Sequence, residues 1–300
     1  MTRGLTAVLL ALVLSAGLAS ASEKGVLEPG ATVEKLAGDF AFTEGPTCDA
    51  KGHLFFTDQP IDRILKWSAD GTLSTFLQPS GRSNGMHFAA DGRLVACADE
   101  RNVLWAIAPD GMHAVLWEGH AGKPLNGPND VWVHPGGGMY FTDPFYKRPW
   151  WSHDAMPQDG QHVYYLAPGA ASLVRVADDL TQPNGIIGSP DGRTLWVADI
   201  GAKKTWRYEI QKDGRLAGKT LVCEFGSDGM TLDDEGHLYL TGDGVRVFDR
   251  EGRQVEHILV PEPWTANVSF CGEDRRTLFI TASKGLYSVR TRTKGAGPAK

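Results

Sequence analysis

Six oxygen-bearing side chains recur at one place in a repeating pattern: Glu44, Asn84, Asn129, Asn184, Asp228 and Asn267. Eight residues after each of the first five stands a glycine, at positions 52, 92, 137, 192 and 236, and Arg275 takes that place after the sixth. Taken singly, Asn184-Gly185 and Asp228-Gly229 read as hairpin dipeptides. As a set they do not, because a hydrophobic segment begins directly after each anchor and the turn glycine comes only later. Carboxylates and carboxamides gathered at one level of a confined space lose hydration, and the acidic ones repel each other, so the ionised set calls for a cation. The donors are all oxygen, with no histidine or cysteine at an anchor, which suits calcium, magnesium or manganese better than structural zinc. One divalent ion, with calcium the first choice, is the expectation.

The elements that must bring these residues together follow from the same repeat. After each turn comes a hydrophobic strand, HLFFTD, RLVACAD, GMYFTD, RTLWVAD, HLYLTG or RTLFITA, most of them closing on an aspartate at 58, 99, 143 or 199. Successive anchors are 40, 45, 55, 44 and 39 residues apart, room for four short strands per unit. One such unit cannot bury both faces of its sheet, so the copies must stack, and radial closure leaves only short protected edges. The fold class is therefore all-β: a six-bladed β-propeller with four-stranded blades, one domain spanning 31–295. In that fold the anchor opens the innermost strand and faces the central channel. The sixth copy ends near Arg290, too early for a full blade, while residues 31–40 read as a spare strand that supplies its outer strand and closes the ring.

The segments FTEGP (42–46), LNGPNDVWV (125–133) with FTDPFY (141–146), QPNGI (182–186) and SDGM (227–230) resemble, in order and placement, the gluconolactonase family that includes regucalcin. More distantly they resemble the six-bladed calcium hydrolases. The likeness implies that Glu44, Asn184 and Asp228 are direct metal ligands, that Asn129 completes the site or meets the substrate, and that Asn84 and Asn267 line the channel beside it. It implies calcium, zinc, magnesium or manganese as the metal. Animal members carry an arginine two residues before the third-blade asparagine, where this chain has Gly127. The activity implied is opening of a lactone, the metal polarising the carbonyl while Asp228 orients or deprotonates the attacking water or, as proposed for phosphoester-cleaving relatives, acts as the nucleophile. The rival readings are a propeller that binds a ligand or protein around a structural metal, and a phosphotriesterase-like hydrolase.

The third repeat is the longest because residues 144–161, PFYKRPWWSHDAMPQDGQ, are inserted after Asp143. Strand direction brings this insertion out on the anchor face, where Tyr146, Trp150 and Trp151, with Phe145, are expected to wall a substrate pocket that also takes Asn84 and Asn129. His53, His134 and His237 adjoin turn glycines on the far face, His153 lies in the insertion, and in a regular strand His87 points away from the channel. No histidine base is expected. Cys48 and Cys271 fall at equivalent positions of neighbouring blades and are the candidate pair among four cysteines, yet adjacent inner strands are expected to stand too far apart, leaving free buried thiols.

With a net charge of −6 and basic residues scattered along the chain, there is no footprint for nucleic acid or anionic lipid, so a small molecule is the expected partner. Arg3, an apolar run over residues 5–14 and the small residues Ala19-Ser20-Ala21 form the three-part layout of a secretory leader over 1–21. The expected product is periplasmic or secreted, with no membrane attachment after cleavage. Mass spectrometry of the native protein should find an N-terminus at or near Ser22, and intact Met1 on a cytoplasmic product would remove the export reading.

Overall fold

The computed structural model describes Met1 and residues 25–297, so the expected leader lies outside the described residues apart from Met1. Six four-stranded antiparallel sheets follow one another in the chain. Blade 1 comprises Thr43–Cys48, Leu54–Asp58, Arg63–Trp67 and Leu73–Leu77, and blade 2 Ser83–Phe88, Leu94–Ala98, Val103–Ile107 and His113–Trp117. Blade 3 comprises Val131–Val133, Met139–Asp143, His162–Leu166 and Val174–Ala177, and blade 4 Pro183–Gly188, Thr194–Asp199, Lys204–Ile210 and Leu216–Cys223. Blade 5 is Met230–Leu232, Leu238–Gly242, Gly244–Phe248 and Gln254–Ile258. Blade 6 is Thr265–Cys271, Thr277–Ala282 and Gly285–Arg290, completed by Glu34–Ala37, whose residues pair antiparallel with Gly285–Arg290. The six-bladed propeller and its closure by the N-terminal strand are as the repeat predicts.

Each blade is apolar on both faces, and the core is divided among the six junctions between blades. Phe55 and Ile64 pack on Leu94 and Ala96 between blades 1 and 2, and Phe141 and Tyr164 on Val95 and Leu104 between blades 2 and 3. Tyr140 and Val163 meet Leu195 and Val197 between blades 3 and 4, and Leu54 and Phe56 meet Phe279 at the closing junction. Radial stacking thus replaces a single central core, as one blade alone could not bury its faces.

The aspartates closing the second strands hold the loops that lead into the anchors. Asp58 accepts from the backbone N–H of Ala41 and Phe42 at 3.0 and 3.1 Å, Asp143 from Asn126 and Gly127 at 3.0 and 2.8 Å, and Asp199 from Thr181 and Gln182 at 2.9 Å each. Blade 2 departs from this pattern. There Asp62 takes the N–H groups of Ser80 and Arg82, at 2.9 and 2.6 Å, and Asp99 is released for other partners. Threonines next to those aspartates stitch blade to blade: Thr57 Oγ1 donates to the carbonyl of Asn84 at 3.3 Å and Thr142 Oγ1 to that of Asn184 at 2.7 Å. At the sixth first turn Arg275 adopts the left-handed conformation of the glycines it replaces, φ 55°, at a cost of about 1–2 kcal/mol.

Two expectations are corrected. Cys48 and Cys271 are not free thiols: they form a disulfide with a Cα–Cα distance of 5.4 Å, because inner strands converge on the axis closely enough for their ends to meet. Cys97 and Cys223 are free and buried. His87 does not point clear of the channel but lines a cavity of about 630 Å³ at its far mouth. The strand is not regular there, since the pairing shifts between Ser83 and Met86, and such a bulge reverses the expected facing.

The disulfide joins blades 6 and 1 across 223 residues of chain, beside the strand closure. Replacing both cysteines by serine should lower unfolding stability by about 2–5 kcal/mol, toward the upper end for so long a loop. Urea denaturation with and without reductant checks this, and equal midpoints would show that the strand closure suffices.

Candidate metal and active centre

The anchors occupy one end of the channel because each sits at, or just before, the start of an inner strand. Four of the six blades break their register there: between Glu44 and Thr47, Ser83 and Met86, Pro183 and Ile186, and Thr265 and Asn267. Bulges of this kind re-aim side chains. Glycine follows the anchor in blades 1, 2, 4 and 5 for a steric reason. A Cβ on Gly45 would collide with the Asn84 carbonyl, and one on Gly229 with the Asn267 side chain. The inner strands approach too closely for anything larger.

Five anchors, Glu44, Asn84, Asn129, Asn184 and Asn267, are buried, while Asp228 is partly so. Glu44 Oε2 accepts from its neighbour Gly45 N at 2.8 Å and from Asn267 Nδ2 at 3.2 Å. Asn184 spends both amide hydrogens, one on Asp228 Oδ1 at 2.7 Å and one on the Tyr146 hydroxyl at 2.5 Å. Asp228 Oδ2 accepts from the indole N–H of Trp264 at 2.6 Å. Burial pushes the Glu44 carboxyl well above the usual range, and repulsion from Asp228 adds to it. Burial raises Asp228 too, against the donors Trp264 and Asn184 and the positive charge of Arg148.

The donor set fits an oxygen-loving cation. Asn84 Oδ1 is buried without a hydrogen-bond partner, a condition that costs about 1–3 kcal/mol unless something fills it. Since Asn184 donates both hydrogens to protein acceptors, its Oδ1 is left for a ligand. Only two of the six anchors are carboxylates, and no cluster of three or more His, Cys, Asp or Glu able to hold a metal occurs among the described residues. A cation here would rely on carboxamide oxygens as well as Glu44 and Asp228, which suits a hard ion.

The insertion lies over this end of the channel. Of its aromatic residues Tyr146 reaches an anchor, whereas Trp150 and Trp151 pack to the side. Trp150 lies against the guanidinium groups of Arg82 and Arg148, 4.8 and 5.7 Å from its ring centroid. Trp151 stacks on His153, donates its N–H to the Asp99 carbonyl at 2.6 Å, and fills the space a side chain at Gly127 would need. Of the expected aromatic wall, Tyr146 is the member bonded to the anchors.

Four residues of the site lie outside the ring of anchors. Asp130 follows Asn129 where blades 1, 2, 4 and 5 have glycine; it lies buried in the channel, its carboxyl pushed up to about 7 by desolvation. Its signal is the acidic residue that ends GPND. Arg148 donates to Asp99 at 3.1 Å and lies 4.8 Å over the Tyr146 ring. Asp99 is buried, which raises its pKa to about 6 although Arg148 opposes the shift. Trp264 stands in the loop before blade 6 and has no counterpart in the other repeats. No histidine hydrogen-bonds an anchor among the described residues, and burial lowers His87 to about 4.

The profile of the SMP-30/Gluconolactonase/LRE-like region matches residues 42–284, from the start of blade 1 to the last turn of blade 6. A gluconolactonase of Zymomonas mobilis is 30% identical over 90% of this chain and 84% of its own length. The lactonase drp35 of a Staphylococcus aureus strain is 31% identical over 73% of this chain and 69% of its own. Among solved structures, a gluconolactonase of Xanthomonas campestris superposes with a TM-score of 0.83 at 32% identity, covering 89% of this chain and 91% of that one. A regucalcin of Agrobacterium tumefaciens shares the fold, with a TM-score of 0.71 at 21% identity over 88% of this chain and 94% of its own. From the repeat, the ring of anchors and these matches together, the chain belongs to the SMP-30/gluconolactonase/LRE-like family.

Proposed function

We propose that this protein is a metal-dependent hydrolase that opens lactones to hydroxy acids. The relatives named gluconolactonase and lactonase support the reaction class. The observation that carries the metal dependence is the buried, unpartnered oxygen of Asn84 beside buried Glu44 and partly buried Asp228, both carboxyls raised in pKa. Glu44, Asn129, Asn184 and Asp228 are the proposed ligands, and a divalent cation held there, calcium by preference, would supply Lewis acidity to the lactone carbonyl.

Asp228 does the proton work. Its carboxylate is held at both oxygens, by Asn184 and by Trp264, so it presents a fixed face to a water molecule at the channel mouth. It accepts a proton from that water as the oxygen bonds to the carbonyl carbon, and returns it to the ring oxygen as the acyl C–O bond breaks. One lactone and one water give one hydroxy acid. Asn84 and Asn129 offer further polar contacts to a substrate in the mouth. Residues 1–21 are proposed to direct export, and the Cys48–Cys271 bridge supports an oxidising compartment.

Asp228→Asn keeps the size and one carbonyl oxygen but removes the basic oxygen. At saturating metal, hydrolysis should fall at least about a hundredfold with the fold intact. Parent and variant are to be assayed on aldonolactones, aliphatic lactones and phosphotriesters, after chelation and with each divalent metal restored. Full activity of the variant at saturating metal would remove the proton role of Asp228, and a parent unaffected by exhaustive chelation would remove the metal.

A further inference from the structure

Tyr146 is bonded into the ring of anchors by an unusual arrangement. Its phenol oxygen accepts from Asn184 Nδ2 at 2.5 Å, and the other hydrogen of that amide is on Asp228. The hydrogen on the Tyr146 hydroxyl has no acceptor among the described residues. A phenol keeps that hydrogen at neutral pH. The ring is fixed from behind: Arg148 lies 4.8 Å above it and is itself tied to buried Asp99 at 3.1 Å. The side chain is partly exposed, so a hydroxyl fixed in this way beside Asp228 can give its hydrogen to a molecule entering the mouth.

We propose that Tyr146 is a catalytic hydrogen-bond donor, giving its hydroxyl hydrogen to the carbonyl oxygen of a bound lactone as negative charge develops there. The inference rests on the lactone-hydrolase reading and adds to it a protein donor at the reacting oxygen. No proton is transferred in this contact. Donors fixed in advance and aimed at a developing oxyanion are effective because they need no reorganisation during the reaction. A second role is implied by the same bonds: by accepting from Asn184, Tyr146 keeps the carboxamide turned so that Oδ1 remains free.

Tyr146→Phe removes the hydroxyl and keeps the ring under Arg148, and separate readouts of chemistry and of metal binding tell the two roles apart. At saturating metal, kcat should fall about a hundredfold, the scale of losing one oxyanion donor. The metal Kd, measured by calorimetry without substrate, should change by less than about threefold, because Asp228 still accepts from Asn184 and keeps the carboxamide Oδ1 turned out. A cyclic phosphonate, whose charged oxygen mimics the developing oxyanion, should bind the variant at least about tenfold more weakly than the parent. Unchanged phosphonate affinity, or kcat fully restored by excess metal, would overturn the donor role and leave Tyr146 a positioning residue for Asn184. A parent that hydrolyses no lactone in the panel would overturn the proposed function, and this inference with it.

Discussion

Everything at the site depends on how closely six inner strands approach one axis. Where they meet, the backbone of one blade touches the anchor of the next, leaving no room for a Cβ on Gly45, Gly185 or Gly229. Convergence on that scale strips water from the anchors and forces carboxylates into each other's fields. The same geometry brings the ends of two inner strands within disulfide reach, so the bridge and the polar ring are consequences of one constraint.

Crowding buried oxygens opposes folding, and the structure sets several devices against it. The six apolar junctions between blades carry the burial that holds the ring closed. Polar strain is relieved locally by a chain of contacts over the channel mouth. Asp99 holds Arg148, Arg148 covers Tyr146, Tyr146 accepts from Asn184, Asn184 donates to Asp228, and Asp228 accepts from Trp264. Five blades or their loops contribute to that chain, so the orientation of Asp228 is set by the assembled ring rather than by its own strand. What the chain leaves unsatisfied, above all Asn84 Oδ1, is what a cation would complete.

The insertion in blade 3 has a divided role that its composition conceals. Four of its residues are large aromatics, and together they read as a stacking surface. Trp150 and Trp151 are instead consumed in packing beside Asp99, Arg82 and Gly127, and this packing holds Arg148 and Tyr146 over the anchors. The release of Asp99 makes it possible. Because Asp62 takes over the loop before blade 2, Asp99 is the second-strand aspartate able to hold the insertion.

The sequence by itself determined the blades, their number, the closing strand and the six anchors, because each rests on a short-range pattern that repeats. A turn eight residues past an anchor, or an aspartate closing a hydrophobic run, can be read without knowing what lies across the channel. Tertiary structure alone decided the rest. The partnership of Asp228 with Trp264 spans 36 residues, that of Glu44 with Asn267 spans 223, and neither occurs twice, so no periodicity announces them. His87 was misplaced for a related reason. The pairing register shifts between Ser83 and Met86, and the expected alternation of faces holds only for a regular strand.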